Sequence, residues 1–189
     1  MPKVNLNDIQ KYTVQALVNY GAKDWIGQSV AKAVRRSEET RNVICGLYYL
    51  ESYCMQLKSG RVNGQVEPII TKPKMGAVKS DALFGFAQPA FEKGYISAVE
   101  LAKENGISSF AVANAHTCTS LGYFTELIAS KGMIGIGFTN ASPVVAPPPN
   151  ISGTVCIAGW PSPSLLPQSS PQPSSSTLSA FLGPGSTCT

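Results

Sequence analysis

The sequence predicts an α/β fold: a helical N-terminal arm, a domain containing a parallel βαβ unit, then an irregular tail. Three observations predict it. Apolar residues recur at helical spacing through roughly the first sixty positions. Two strand-like runs flank a helix-like run between 107 and 140, a span short enough to demand a crossover with parallel strands. Charge then stops: Lys131 is the last charged side chain, and 132–189 contain no Asp, Glu, Lys or Arg.

The first helix is expected over 5–20. Asn7 or Asp8 can cap it, Ile9, Leu17 and Val18 recur near helical spacing, and Gly21 stops it. A second begins at Asp24 and runs to about Arg36, with Ile26, Val30, Ala33 and Val34 on its apolar side. A third is expected from Val43 to Lys58, rich in Leu and Tyr, ending before Gly60. The pattern then changes. "VEPIITKPK" (66–74) reads as extended, because Pro68 and Pro73 disfavour helix while Ile69, Ile70 and Thr71 favour strand. "GAVKSDALFG" (76–85) holds a short strand and a turn. Pro89 suits the first turn of a helix over 88–104, with Phe91, Tyr95, Ala98, Val99 and Ala102 as its buried stripe. The crossover follows: strand 107–113, helix 120–132 with Tyr123, Leu127 and Ile128 facing in, strand 133–140. From 148 to 189 proline and serine dominate, and this segment is expected to be irregular and mostly disordered. Three segments result: a helical arm (1–62), a central domain (63–147) and the tail (148–189).

Composition narrows the function classes. The chain has 189 residues, 43% hydrophobic and 14% charged, with a net charge of +4; soluble domains are typically about 25% charged. No dense basic run exists. Lys32, Arg35 and Arg36 share one helix with Glu38 and Glu39, a solvated face rather than a nucleic-acid footprint. The N-terminus has no secretory pattern and no apolar run reaches membrane-spanning length. Five cysteines (45, 54, 118, 156, 188) without a C-x-x-C pair, and a single histidine, make neither a zinc set nor a paired disulfide framework. The expectation is a cytoplasmic protein with free thiols, no metal, no membrane and no nucleic acid.

Ligands bind outside the carboxyl ends of parallel strands. Here those ends are "NAHTCT" and "TNASP", small and polar, and the first holds the only histidine, His116. The loops after Ala113 and Phe138 are therefore expected to lie side by side.

Within 81–148, "GFAQPAFEKGYISAVELAKENGISSFAVAN" and "LGYFTELIASKGMIGIGFTNASPVVAP" resemble the malate/L-lactate dehydrogenase family, which includes ureidoglycolate and sulfolactate dehydrogenases. The helical opening and "LKSGRVN" extend the resemblance to about 3–148. It implies an oxidoreductase that uses NAD or NADP on a small 2-hydroxy acid, with a cofactor fold of non-Rossmann type. Gly135 and Gly137 are then packing glycines, and 63–147 is an incomplete cofactor-binding domain.

The family's chemical motifs are altered. Its third helix opens Asp-Ser-His-Gly, with an Arg three residues on; the matching residues are Val43, Ile44, Cys45, Gly46 and then Tyr49. Cys45 and Tyr49 thus stand at the substrate-binding His and Arg positions. The catalytic motif Asn-Ser-x-His-Phe-Gly, counted back from Gly122, falls on Asn114 to Thr119. Thr117 takes the catalytic histidine's place and His116 sits one residue early. His116 is the base if the loop shifts by one residue; otherwise it is a polar loop histidine. A threonine cannot replace an imidazole as base, and losing such a group removes about 10²–10⁴ of rate. Asn114, Asn140, Ala141 and Ser142 are the implied cofactor contacts.

Family members are much longer, so the resemblance also implies a truncated chain whose tail is frame-shifted or aberrantly spliced. Two further readings stand beside the enzyme: an inactive paralogue that binds or regulates a full-length enzyme, and a non-functional gene product. Expected partners are a small 2-hydroxy or 2-oxo acid, if the chain is active, and a second copy or a full-length paralogue.

Overall fold

The computed structural model describes residues 4–116, 118–139 and, for the backbone, 176–184. The arm begins with α1 (Leu6–Asn19) and α2 (Asp24–Glu39). Asn5, rather than Asn7 or Asp8, caps α1: its side-chain oxygen accepts the Asn7 N–H at 2.8 Å. Ile9, Thr13 and Leu17 form the buried stripe, while Val18 is 39% exposed.

The helix expected over 43–58 is broken. Val43–Cys45 and Leu47–Tyr49 are single 3₁₀ turns, and only α3 (Leu50–Lys58) is α-helical. Gly46 sits between them at φ −96°, ψ −131°, outside helical space. It is also where the Glu38 carboxylate packs in against the backbone and accepts the Leu47 N–H at 2.7 Å. An acceptor from α2 thus takes a donor that a continuous helix would have used itself.

The second half is one mixed sheet in the order β1-β2-β3-β5-β4. Its strands are β1 (Ile69–Lys74), β2 (Ala77–Asp81), β3 (Ser108–Ala115), β4 (Met133–Thr139) and β5 (Ser176–Pro184), with α4 (Ala87–Asn105) and α5 (Leu121–Ala129) between them. β1 and β2 are antiparallel, and Pro73 lies in the edge strand, where a missing N–H is tolerated. The directly bonded parallel pair is β2 with β3, joined through α4. The expected pair, β3 and β4, also runs in one direction, but the two are not neighbours. β5 lies between them, antiparallel to both. Part of the tail expected to be irregular is thus a strand, one that fills the gap a sheet cannot leave open; the rest of 148–189 lies outside the described residues.

One face of the sheet is built against helices. Gly94 of α4 rests on the Phe110 ring, and Phe110, Phe91 and Phe124 form an aromatic centre with ring centroids 4.8–5.3 Å apart. Ser80 and Ser108 tie β2 and β3 to the α4 carbonyls of Ala90 and Ala98, at 2.8 and 2.7 Å. Gly135 and Gly137 bring α5 onto β4: a Cβ at Gly135 would meet Ile128 at 3.0 Å, so their role is packing. The basic face of α2 is solvated, and it also makes ion pairs to the sheet's helices. Arg36 grips Glu126 of α5 with two bonds, at 2.8 and 3.0 Å, and Lys32 pairs with Glu92 of α4. No helix among the described residues is long and apolar enough to cross a membrane.

Gly94→Ala is expected to destabilise the protein by about 1–3 kcal/mol, because its Cβ would lie 2.7 Å from a ring that is 1% exposed. A lowered urea midpoint with an unchanged m-value checks this.

Candidate functional site

The arm and the sheet have separate cores, one around Leu17, Val30, Tyr53 and Leu57, the other around Phe91, Phe110 and Phe124. They meet at Phe86. It precedes α4 in sequence but is buried in the arm's core. The backbone there makes a short parallel bridge between Phe86 and His116, with the His116 N–H donating to the Gly85 carbonyl at 2.8 Å. His116 is therefore not a solvated loop residue. It continues β3 by one step and is half-buried between two ring edges, Tyr53 at 5.9 Å and Phe86 at 5.8 Å, both near perpendicular.

This environment decides the state of the imidazole. Its Nδ1 is buried and has no hydrogen-bond partner. Burial, with a smaller contribution from the Arg61 charge, pushes the His116 pKa down to about 4. At neutral pH it is uncharged. Burial likewise pushes the Tyr53 hydroxyl well above its ordinary range, with the Thr119 hydroxyl partly opposing it.

The loop after His116 is tightly turned. Asn114 and Thr119 have φ of +50° and +56°. Asparagine adopts this region readily; for a β-branched threonine it costs about 1–2 kcal/mol. Thr119 is the position where the motif count places a glycine. Asn114 is held by its side chain, whose Nδ2 donates to both oxygens of Asp81 at 3.0 Å. That amide fixes the end of β3 to the end of β2. Cys118 is buried, and its Sγ–H donates to Thr139 Oγ1 at 3.5 Å. The segments after Ala113 and after Phe138 are therefore in contact, as the strand ends were expected to be.

Cys45 and Tyr49 come to the same place from the other side. Tyr49 stacks on Tyr53 at 6.0 Å, and Cys45 is near enough to raise the proton affinity of both Tyr53 and Cys118. Cys45 is itself raised by burial. Cys45, Tyr49, Asn114 and His116 are thus drawn to one end of the sheet. Thr117, Asn140, Ala141 and Ser142 lie outside the described residues. Tyr53, Phe86 and Gln88 were not foreseen. Gln88, 1% exposed in the first turn of α4, reaches the Cys118 carbonyl at 3.5 Å through Nε2, while its Oε1 has no partner. No sequence signal marks Tyr53 or Phe86 beyond aromatic character. Among the described residues, no three His, Cys, Asp or Glu side chains gather as a metal site.

A family model described as malate/L-lactate dehydrogenase matches residues 4–157. The chain belongs to the malate/L-lactate dehydrogenase family. It is 28% identical over 168 residues to a Δ1-pyrroline-2-carboxylate reductase of Burkholderia ambifaria, covering 87% of this chain and 49% of that protein. It is 28% identical over 144 residues to the NADP-dependent (2R)-3-sulfolactate dehydrogenase of Chromohalobacter salexigens, covering 76% and 43%. Among solved structures, malate dehydrogenase from Pyrococcus horikoshii superposes with a TM-score of 0.70 at 26% identity, covering 77% of this chain and 42% of that one. The chain spans about half the length, or less, of the curated relatives it matches.

The pH dependence of stability follows from the imidazole. Between pH 4 and 6.5 the unfolded chain binds a proton at His116 that the folded chain does not. Stability therefore rises with pH across this window and is lost as pH falls through it, by roughly 3 kcal/mol in all. In His116→Gln this contribution is expected to vanish, so its melting temperature falls less steeply from pH 6.5 to 4. Because the chain has a single histidine, its one imidazole NMR signal reads the same pKa directly.

Proposed function

We propose that the chain is an NAD(P)-dependent oxidoreductase of the malate/lactate dehydrogenase type, acting on a small 2-hydroxy acid or the matching 2-oxo acid, with His116 as its proton-handling residue. In this reading 1–62 is the arm that closes the pocket from above and 63–147 is the cofactor half. The observation that carries it is the neutral imidazole set between Tyr53 and Phe86 where the arm meets the strand ends.

The residues present fit a nicotinamide in one respect. Gln88 Oε1 is a buried acceptor without a partner, beside the meeting point of the β3 and β4 ends, and a carboxamide N–H would satisfy it. The chemistry that a bound nicotinamide supplies is acceptance or donation of a hydride. The chain's own residues do the rest. Tyr53 and Phe86 exclude water from one side of the imidazole. Oxidation of a hydroxy acid releases the hydroxyl proton to a neutral ring nitrogen of His116; reduction needs the same nitrogen protonated. A pKa of about 4 leaves the imidazole neutral and able to accept a proton at neutral pH, and makes its protonated form scarce.

A second reading, an inactive paralogue that binds a full-length enzyme, is favoured by one observation: Cys45 and Tyr49 bring no positive charge to the positions where the family motif has His and Arg.

The enzyme reading predicts a saturable change in NADH or NADPH fluorescence on titration with the purified chain. It also predicts oxidation of malate or lactate whose kcat/KM falls on the acid side with a midpoint near 4, and a rate loss of about 10²-fold or more in His116→Ala. Silence with both nicotinamides removes the enzyme and leaves the paralogue reading, which predicts co-purification with an intact family member.

A further inference from the structure

The basic face of α2 has a feature that the strand ends do not explain. Lys32, Arg35, Arg36 and Glu39 recur at helical spacing on one side of α2 and line an open cleft of about 280 Å³. Tyr123, Glu126 and Leu127 of α5 form the opposite wall. One wall thus belongs to the helical arm and the other to the sheet's helices. Most charges here are already matched. Arg36 donates to both oxygens of Glu126, at 2.8 and 3.0 Å, and to Glu39 at 3.1 Å. Lys32 pairs with Glu92 of α4 at 3.5 Å, and the Tyr123 hydroxyl donates to the same carboxylate at 3.1 Å. Arg35 is left over. It is half-buried, its Nε is buried without a hydrogen-bond partner, and no ion pair among the described residues includes it. A buried donor on a charged group that meets no acceptor is costly, so it marks a place where an acceptor is missing.

We propose that this cleft is a binding site for a small organic monocarboxylate: Arg35 receives the carboxylate, and Tyr123 and Leu127 hold the apolar body. A guanidinium offers a carboxylate two parallel, charge-assisted bonds. One unmatched cation calls for one negative charge. A second would meet Glu39 and Glu126, which line the same cleft and are already committed to Arg36. The volume also limits the ligand, since 280 Å³ lies at the small end of ligand pockets, which run from about 300 to 1,000 Å³. A ligand seated here touches both the arm and α5, so it favours the folded, closed arrangement of the two. None of the side chains gathered about His116 lines this cleft, so the inference does not rest on the proposed oxidoreductase activity.

The probe is benzoate, titrated calorimetrically into the full chain. Saturable binding is expected, with a melting temperature that rises with benzoate concentration. Benzamide, the same ring without the charge, and phthalate, with a second charge, are each expected to bind about tenfold or more weakly. Arg35→Gln should lose benzoate affinity to a similar extent, and Arg35→Lys should keep part of it. Lys11→Gln, which removes an exposed cation on α1, should bind as the unmodified chain does. Thermal melts establish that each variant is folded; if Arg35→Gln is not, the benzoate–benzamide comparison and Arg35→Lys decide. Absence of saturable benzoate binding overturns the proposal. So does equal affinity for benzamide, tighter binding of phthalate, or unchanged affinity in Arg35→Gln. The single imidazole NMR signal separates this cleft from the strand ends: it should stay in place, and a shift with the calorimetric midpoint moves benzoate to His116 and sinks the assignment to Arg35. Silence with both nicotinamides leaves this site standing, and silence with benzoate leaves the enzyme reading standing.

Discussion

The short parallel bridge between Phe86 and His116 is the constraint on which the rest of this structure turns. It is small: a backbone bond of 2.8 Å from the His116 N–H to the Gly85 carbonyl, and two rings meeting edge to face. Yet Phe86 belongs to the core of the helical arm, and His116 extends the strand at the centre of the sheet's parallel pair. The two halves of the protein are registered against each other at this point. The setting of the imidazole is a by-product of that registration, because aromatic side chains from α3 and from the turn before α4 both pack against its ring.

Registration has a chemical consequence. An imidazole in a solvated loop would titrate near neutrality. Walled by Tyr53 and Phe86, with Nδ1 buried, this one holds its neutral form down to about pH 4. The aromatic contacts that join the arm to the sheet thus also set the charge state of the ring. The strain at Thr119 belongs to the same set of constraints. The chain must turn sharply after β3 to start α5, and it does so in the left-handed region without the glycine that relieves such a turn.

The ion pairs between α2 and the sheet's helices play a different part. Arg36–Glu126 and Lys32–Glu92 are at least partly exposed, so their contribution to stability is modest. They orient the arm rather than hold it. The apolar contacts of Tyr53, Val62 and Phe86 hold it, and these lie next to the site. Changes that loosen the arm are therefore changes to the surroundings of His116.

The sequence by itself determined the order and kind of most elements, since helical periodicity, Pro89 and the glycine-rich apolar run at 133–139 are local signals. It also determined the family, through "GFAQPAFEKGYISAVELAKENG" and "LGYFTELIASKGMIGIGFTN". It drew attention to His116 because there is one histidine, but it could not say whether that ring was solvated. Only the tertiary structure decided that, because Tyr53 and Phe86 are distant in sequence and reach the imidazole only when the arm packs on the sheet. The break of the third helix at Gly46 was hidden for the same reason: the Glu38 carboxylate that causes it comes from α2. So was the insertion of β5 between β3 and β4, since strand order is set by which edge is left to pair and not by local propensity. Local chemistry is written in neighbouring residues; charge state and strand order depend on residues that meet only in the folded chain.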